Sequence, residues 1–421
     1  MKHNGLPPAV VITYAVEYSE EVYDSITIYK NSDGKWGVLK RTLDGGYNIL
    51  VEPVYDLLGF NRVLNYLEAV AYTDDTWQVD GNSFYFFDLN GQLKASVSGV
   101  TSVRIDDSGR LLVLKSDSMG LLDNKGETII TPAYVSLYNL QGNLYKAQKG
   151  AGYGIIDTNE MVLLDFKYKF IFTTVKNDRV IVQDLTNRYF SFHFPTSELH
   201  ALPYDNIFRA TSNTYGGGEG EPGLFKAIRQ SVATEFDDYD EDMCAFTGIW
   251  GIIYADGTTK IPNEYAFVDG FVNPDYFKVA LGNFSFYVND DTGHLIAEGV
   301  KWGVVDANNN IIVPIEYDWV QEVGDTLWMV NKGGTVFYNH DYQEEGWEVR
   351  GGQVGVFNKN RLITPIAYDT IMTSWFRIKD YVFVQNGHPK FNDRYDYDVY
   401  NFDGKKIEVN KPRPRDHMYY R

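Results

Sequence analysis

Histidines are the first place to look for chemistry, and the chain has seven: His3, His193, His200, His294, His340, His388 and His417. A zinc site needs His or Cys ligands at short, characteristic spacings. None of the seven has that spacing with another His or with the single Cys244, and His193 and His200 stand seven residues apart. The densest acidic run is Asp237-Asp238-Tyr239-Asp240-Glu241-Asp242. Alternating carboxylates can hold Ca²⁺, but the twelve-residue calcium loop requires Gly at its sixth position and Glu at its twelfth. Counted from Asp237, those positions hold Asp242 and Gly248, so the run reads as a solvated acidic loop. The glycine-rich stretch at 216–223 lacks the Gly-Lys-Ser/Thr that cradles phosphate, and its Glu219 and Glu221 would repel one. No Gly-x-Ser-x-Gly elbow, HExxH or Cys–His arrangement occurs. Paired carboxylates of the glycosidase kind cannot be told from sequence, because their spacing is spatial. The expectation is no catalytic residue, no metal and no cofactor.

The glycine-rich stretch and the acidic run both fall between residues 206 and 247. Residues 224–236 place Leu224, Ala227, Ile228 and Val232 at the spacing of a short amphipathic helix. The segment 206–247 is therefore predicted to be an insertion of flexible loop, helix and acidic run. Insertions on a rigid scaffold tend to carry function. Tyr215, Glu219, Glu221, Asp237, Asp238, Asp240 and Asp242 are the predicted binding residues.

Around that segment the chain repeats itself. Trp250-Gly251-Ile252-Ile253, Trp302-Gly303-Val304-Val305 and Val354-Gly355-Val356-Phe357 begin three segments whose glycines are 52 residues apart. Each then reaches a Pro three residues before a Tyr: Pro262/Tyr265, Pro314/Tyr317 and Pro365/Tyr368. A fixed period of this size means one supersecondary unit copied in tandem. In the copy beginning at Trp302, residues 302–306 and 311–313 read as strands around an Asn308-Asn309-Asn310 turn, with Pro314 as a stop. Residues 327–330 and 336–338 read as two more, separated by a Gly333-Gly334 turn. Gly inside a strand marks a bulge or the close approach of another backbone or ring. Weaker copies start at Trp36-Gly37, Met119-Gly120 and Tyr153-Gly154, with degenerate ones at Phe86-Phe87 and Tyr189-Phe190. The predicted organisation is N-terminal β repeats over 1–205, the insertion at 206–247, three regular repeats over 248–410 and a basic, Pro-rich tail at 411–421.

The pattern of Trp-Gly, hydrophobic pair, Asp, turn, hydrophobic run, Pro and Tyr-Asp resembles the WG-repeat (KWG-type) family of bacterial proteins. Lys35-Trp36-Gly37, Met119-Gly120 with Pro132, Tyr153-Gly154, Trp250-Gly251, Trp302-Gly303 with Pro314 and Tyr317-Asp318, and Val354-Gly355 with Pro365 and Tyr368-Asp369 carry the resemblance. It implies an all-β repeat array and no defined chemistry. Four short strands per unit suit a propeller blade. The expected fold is all-β, tandem antiparallel repeats in a propeller-like array, with an open β-repeat solenoid as the alternative. A closing strand is expected from residues 10–18 or 25–29 pairing with 400–409.

Composition agrees with strands: aromatics make up 15%, with 32 Tyr and 25 Phe. The net charge of −19 disfavours phosphate backbones and favours cationic partners. No segment has the length and apolarity of a bilayer-spanning helix or the profile of a signal peptide, so a cytoplasmic location is expected. The predicted function is a non-enzymatic protein-interaction scaffold, with a basic protein such as a toxin as the partner the charge suggests. A carbohydrate-binding or carbohydrate-active protein is the alternative, since Tyr and Trp can stack on sugar rings.

Overall fold

The computed structural model describes residues 16–23, 25–62, 65–72, 81–106, 108–210, 223–238, 241–271, 273–289, 294–324, 326–339, 346–359, 361–371, 381–386 and 396–409. They form two compact units, Met1–Thr173 and Thr174–Arg421. All named elements are strands. Among the described residues no helix is long and apolar enough to cross a membrane.

The first unit is a series of antiparallel meanders in chain order. The first sheet is β1 (Val16–Tyr23), β2 (Ile26–Asn31), β3 (Trp36–Arg41) and β4 (Tyr47–Tyr55). The second is β5 (Leu57–Asn61), β6 (Tyr66–Ala71), β7 (Asn82–Phe87) and β8 (Leu93–Val100). The third is β9 (Ser102–Ile105), β10 (Leu111–Lys115), β11 (Ser118–Leu122) and β12 (Thr128–Tyr134). The fourth is β13 (Ser136–Gln141), β14 (Leu144–Lys149), β15 (Gly152–Asp157) and β16 (Val162–Tyr168), after which comes β17 (Phe170–Ile171).

In the second unit β18 (Arg179–Gln183), β19 (Tyr189–His193) and β20 (Glu198–Leu202) pair as a meander. The next sheet is β21 (Asn206–Arg209), β22 (Leu224–Asp238), β23 (Glu241–Tyr254) and β24 (Thr259–Tyr265). An eight-stranded sheet follows. Its strands are β25 (Phe267–Gly270), β26 (Tyr276–Val288), β27 (Leu295–Asp306), β28 (Ile311–Tyr317), β29 (Trp319–Gly324), β30 (Leu327–Asn339), β31 (Gly346–Asn358) and β32 (Arg361–Leu362). The last sheet is β33 (Thr370–Ile371), β34 (Tyr381–Asn386), β35 (Asp396–Asn401) and β36 (Lys406–Val409).

The repeat motif acquires its meaning from register. Trp302 on β27 pairs with Tyr317 on β28, and Val304 pairs with Val313. Between these pairs Gly303 alone faces residues 314–316, which bulge across it. A Cβ on Gly303 would meet the Val313 carbonyl oxygen at 2.6 Å and the Ile315 Cα at 2.8 Å. The same offset recurs at Trp36/Tyr55, Met119/Tyr134, Tyr153/Tyr168 and Trp250/Tyr265. Glycine is there because the backbone of the neighbouring strand occupies the place of a side chain. Proline fits the bulge because no ladder donor is needed from it. The same register brings the residue before Trp to the residue after Tyr: Lys35 Nζ lies 2.5 Å from Asp56 Oδ1, and Lys301 pairs with Asp318. The Asn turn also stands, with Asn309 at φ 63° and Asp306 Oδ1 accepting from the backbone N–H groups of Asn308 and Asn310.

Neighbouring sheets share their cores, so most sheets are buried on both faces. Ile28, Val38 and Val51 of the first sheet pack with Leu58, Leu67 and Phe87 of the second. Val304 and Trp302 pack with Trp319, Trp328 and Val330 farther along the chain. A Tyr can also reach across to a neighbouring turn, as Tyr145 does in donating to Asp106 Oδ2 at 2.6 Å.

Several expectations are corrected. The propeller-like array is not what the structure forms: among the described residues no sheet closes or curls on itself, and the open β-repeat arrangement is favoured. Residues 25–29 pair within the first sheet, as β2 with β1 and β3, and 400–409 within the last, as β35 with β36, so the expected closing strand does not form. Residues 10–15 lie outside the described residues. Two repeats also merge, because β27 pairs with β30 through Ile296–Phe337 and Ala297–Val336. The helix expected over 224–236 is β22. Phe225 is buried beside Leu224, Ala227 and Ile228, because this strand has core on both faces and so loses the period-two pattern. Within the repeat, Pro314 does not stop its strand and Gly333-Gly334 does not turn: β28 and β30 run through them. The Trp-Gly strand is the third of its sheet rather than the first.

Candidate interaction site

Three hairpins of the second unit outgrow the repeat. β22–β23, β26–β27 and β30–β31 are built from strands of 12 to 15 residues, whereas among the described residues no other strand exceeds nine. Each is irregular near its middle. The register of β22–β23 shifts between Arg229 and Val232, where Gln230 takes φ 54°, and that of β26–β27 shifts between Gly282 and Ser285. Gly282 and Gly299 face each other there at φ 127° and 86°, and a Cβ on either would fall within 2.3 Å of a carbonyl oxygen. Gly333, Gly351 and Gly352 take positive φ at the matching place in β30–β31. Bulges increase local twist and re-aim side chains. The half of each hairpin nearer the repeat joins the shared core; in the other half Ala297 and Val336 join it too, with Phe284, Phe286 and Trp347 packed at its edge.

That edge is aromatic. Phe284 and Phe286, two residues apart on β26 and hence on one face, stack with centroids 5.2 Å apart and an interplanar angle of 7°. Phe284 meets Trp302 at 5.9 Å and Phe286 meets Trp347 of β31 at the same distance. Trp347 is edge-on to Tyr338 of β30 at 5.3 Å. In the other direction Trp302 contacts Phe267, and Phe267 contacts Trp250 at 5.0 Å. Phe208 stacks on Trp250 and meets Phe246 of β23. These rings other than Phe208, with Ala245 and Leu295, line a cavity of about 200 Å³, and among the described residues no charged side chain lines it. The indole Nε1 of Trp250 is itself buried and, among the described residues, has no hydrogen-bond partner. A buried donor left unpaired costs free energy.

Beside the rings lie two lysines at one repeat position, opposite the residue that follows the motif glycine: Lys226 opposite Ile252 and Lys278 opposite Val304. Lys226 pairs with Asp269 at 3.2 Å. Lys278 sets its ammonium over the Trp319 ring, 3.6 Å from the centroid, and 5.0 Å from that of Trp302. Burial pushes the Lys278 amine down to about 8; the Asp269 charge opposes that and the Lys226 charge adds to it. The first unit has the same device, with Lys146 over Tyr153 and Phe170 at 4.5 and 4.3 Å. There the ammonium also donates to the Ile171 carbonyl at 2.7 Å. Recurrence in both units marks it as a packing element of the repeat.

Of the residues predicted to bind, Tyr215, Glu219, Glu221 and Asp240 lie outside the described residues. Asp237 pairs in register with Asp242, and Asp238 with Glu241, at the end of β22–β23. The segment 206–247 therefore holds two core strands and most of a long hairpin, and that hairpin is one wall of the cavity. The rings themselves were missed. Their signal was in the spacing: 52 residues separate the later motif glycines but only 34 separate Gly120 from Gly154, and Phe284-Ser285-Phe286-Tyr287 alternates as a strand does. Elsewhere, His193 Nδ1 bonds the Thr196 hydroxyl and His200 lies 3.8 Å from Glu198. Among the described residues no group of three or more His, Cys, Asp or Glu is placed to hold a metal ion.

Three stretches, 119–152, 153–185 and 302–324, match the family model described as WG containing repeat, so these stretches are similar to WG-type repeats. No curated protein matches the sequence. Solved structures similar to the chain include a eukaryotic initiation factor, at 9% identity and a TM-score of 0.31, with 96% of this chain and 93% of that one covered. Sqt1 from Chaetomium thermophilum follows at 11% identity and 0.26, covering 65% and 78%. The computationally designed Ika8 protein gives 10% identity and 0.26, covering 83% and 93%. TM-scores of this size establish no common fold.

Proposed function

We propose that this chain, whose repeats are similar to the WG type, is a non-enzymatic protein-binding scaffold that recognises its partner through the aromatic cavity of the three long hairpins. The observation that carries the reading is the convergence of rings from three successive hairpins on one uncharged cavity of about 200 Å³. Interface centres are enriched in Trp, Tyr and Phe and depleted of charge, and a few such rings supply most of the binding energy. Phe286 and Trp347 are partly buried and pack against the edge of the core cluster, so circular dichroism of each truncation must show a folded chain before loss of binding is read. Affinity capture with the wild-type chain, compared with Phe286→Ala and Trp347→Ala, tests the reading by mass spectrometry. Proteins retained by the wild type and lost with both variants support it; an unchanged set of captured proteins refutes it.

Sugar binding is the second reading, since rings of this kind can stack on pyranose faces. A sugar also needs several hydrogen-bonding groups around it. The lining side chains offer the Tyr338 hydroxyl and indole N–H groups and no carboxylate or amide. Glycan-array signal lost with Phe286→Ala would favour sugar over protein.

A further inference from the structure

The first unit carries a cleft of different chemistry, between the second and third sheets, with a volume of about 600 Å³. Its floor is apolar: Val97 and Val100 of β8 meet Val113 and Leu122 of the third sheet in the core that the two sheets share. Around that floor stand four serines, Thr128, Lys115 and Lys125. Among the described residues no Asp, Glu, His or aromatic ring lines it. In a chain of 57 acidic and 38 basic residues this is a local reversal of sign. Lys115 and Lys125 are exposed, and among the described residues neither ammonium has an ion-pair or hydrogen-bond partner. The hydroxyls of Ser96, Ser118 and Thr128 are likewise uncommitted there.

The two lysines hold opposite ends of the cleft. Lys115 pairs with Ser118 across the β10–β11 turn, where Ser116 and Asp117 take φ 46° and 61°. That end lies beside the end of β8, since the Thr101 N–H donates to the Leu114 carbonyl at 2.8 Å. Lys125 sits in the β11–β12 turn, which Asp123 Oδ1 fixes by accepting from the backbone N–H groups of Lys125 and Glu127. That turn lies against Ser96: a Cβ on Gly126 would stand 3.3 Å from the Ser96 carbonyl oxygen. Ser96 and Val100 are four residues apart on one strand, so the cleft is on the order of 13 Å long.

Beyond the binding role assigned to the second unit, we propose that this cleft binds a small, elongated molecule with a phosphate at each end, of the sugar bisphosphate class. Each ammonium takes one phosphate in a charge-assisted hydrogen bond. Hydroxyls of Ser96 and Thr128 at one end and Ser118 at the other both donate and accept, which suits phosphate oxygens and sugar hydroxyls alike. The valines and Leu122 carry the carbon skeleton. A nucleotide is disfavoured, because no ring offers its base a face to stack on. The net charge of −19 repels anions from the surface at large, so affinity has to come from the cleft itself.

Titration calorimetry of the full chain with fructose 1,6-bisphosphate, fructose 6-phosphate, inorganic phosphate and fructose tests this. The bisphosphate should bind about tenfold or more tighter than fructose 6-phosphate, and fructose should not bind. Lys115→Gln and Lys125→Gln should each bring the bisphosphate down to about the level of the monophosphate, and the double variant should abolish binding. Circular dichroism of each variant separates lost binding from lost folding. Bisphosphate affinity should rise from pH 5 to pH 7, as the second proton leaves each phosphate near pH 6. A bisphosphate no tighter than the monophosphate would overturn the two-ended reading, as would affinity indifferent to either lysine variant. No binding of any phosphate would overturn the site. Tighter binding of the peptide Glu-Ala-Ala-Ala-Glu, whose carboxylates span a similar length when extended, would overturn the small molecule in favour of an acidic protein segment.

Discussion

Single residues in this chain are constrained for reasons that register makes explicit. Gly303 is required because residues 314–316 bulge over it, with backbone atoms inside 3 Å of any added Cβ. Gly303→Val should therefore destabilise by about 1–3 kcal/mol, as overpacking does; an unchanged urea midpoint would show that the bulge can relax. Lys278 makes a sharper prediction. Its amine is lowered to about 8 against an ordinary value near 10.5. A base with a lowered native pKa costs stability while it is charged, so the penalty is complete below about pH 8 and disappears as pH rises toward 10.5. Lys278→Met should stabilise the protein at pH 7 by roughly 1–2 kcal/mol, since attraction to the Trp319 and Trp302 faces repays part of the burial cost. That gain should shrink between pH 8 and 10.5. A gain constant across the range would mean that packing, not charge, is responsible.

At the level of elements, the segment 206–247 behaves differently from an insertion. Residues 224–229 lie inside a sheet, with Phe225, Ala227 and Ile228 fully buried. Replacing residues 215–242 by a Gly/Ser linker would remove that strand and should unfold the second unit. Shortening β22–β23 beyond its bulge, by joining residue 231 to residue 248 through Asn-Gly, should leave a folded but less stable protein, because Val232 is exposed while Phe246 packs at the edge of the core. Near-ultraviolet circular dichroism and thermal melts distinguish the two deletions. Loss of cooperative melting in the short deletion would show that the hairpin extension supports the core.

At the scale of the whole molecule, 57 acidic against 38 basic residues leave a net charge of −19. Surplus charge of one sign opposes the compact state through self-repulsion, and salt screens it. The melting temperature should rise by a few degrees between low and roughly 0.5 M monovalent salt; a fall would mean that specific ion pairs such as Lys226–Asp269 outweigh the repulsion. Every strand pairs with a neighbour close in sequence, and each core is shared between adjacent sheets. Stability in such a series is a sum of local and nearest-neighbour contributions.

The sequence determined the strands and the repeat. The Trp-Gly and Pro-Tyr pairs, the Asn turn and the wealth of aromatic and β-branched residues are local signals, and each has a local cause in twist, bulge or turn. What decided the rest was pairing between distant residues. Whether residues 224–236 are helix or strand depends on burial of both faces, which erases the periodicity that tells the two apart. Whether the array closes depends on which strands the first and last sheets recruit, and each took its own. The aromatic cavity is equally tertiary: Phe246, Phe286 and Trp347 are unremarkable in their own segments and become a site only when three hairpins lie side by side.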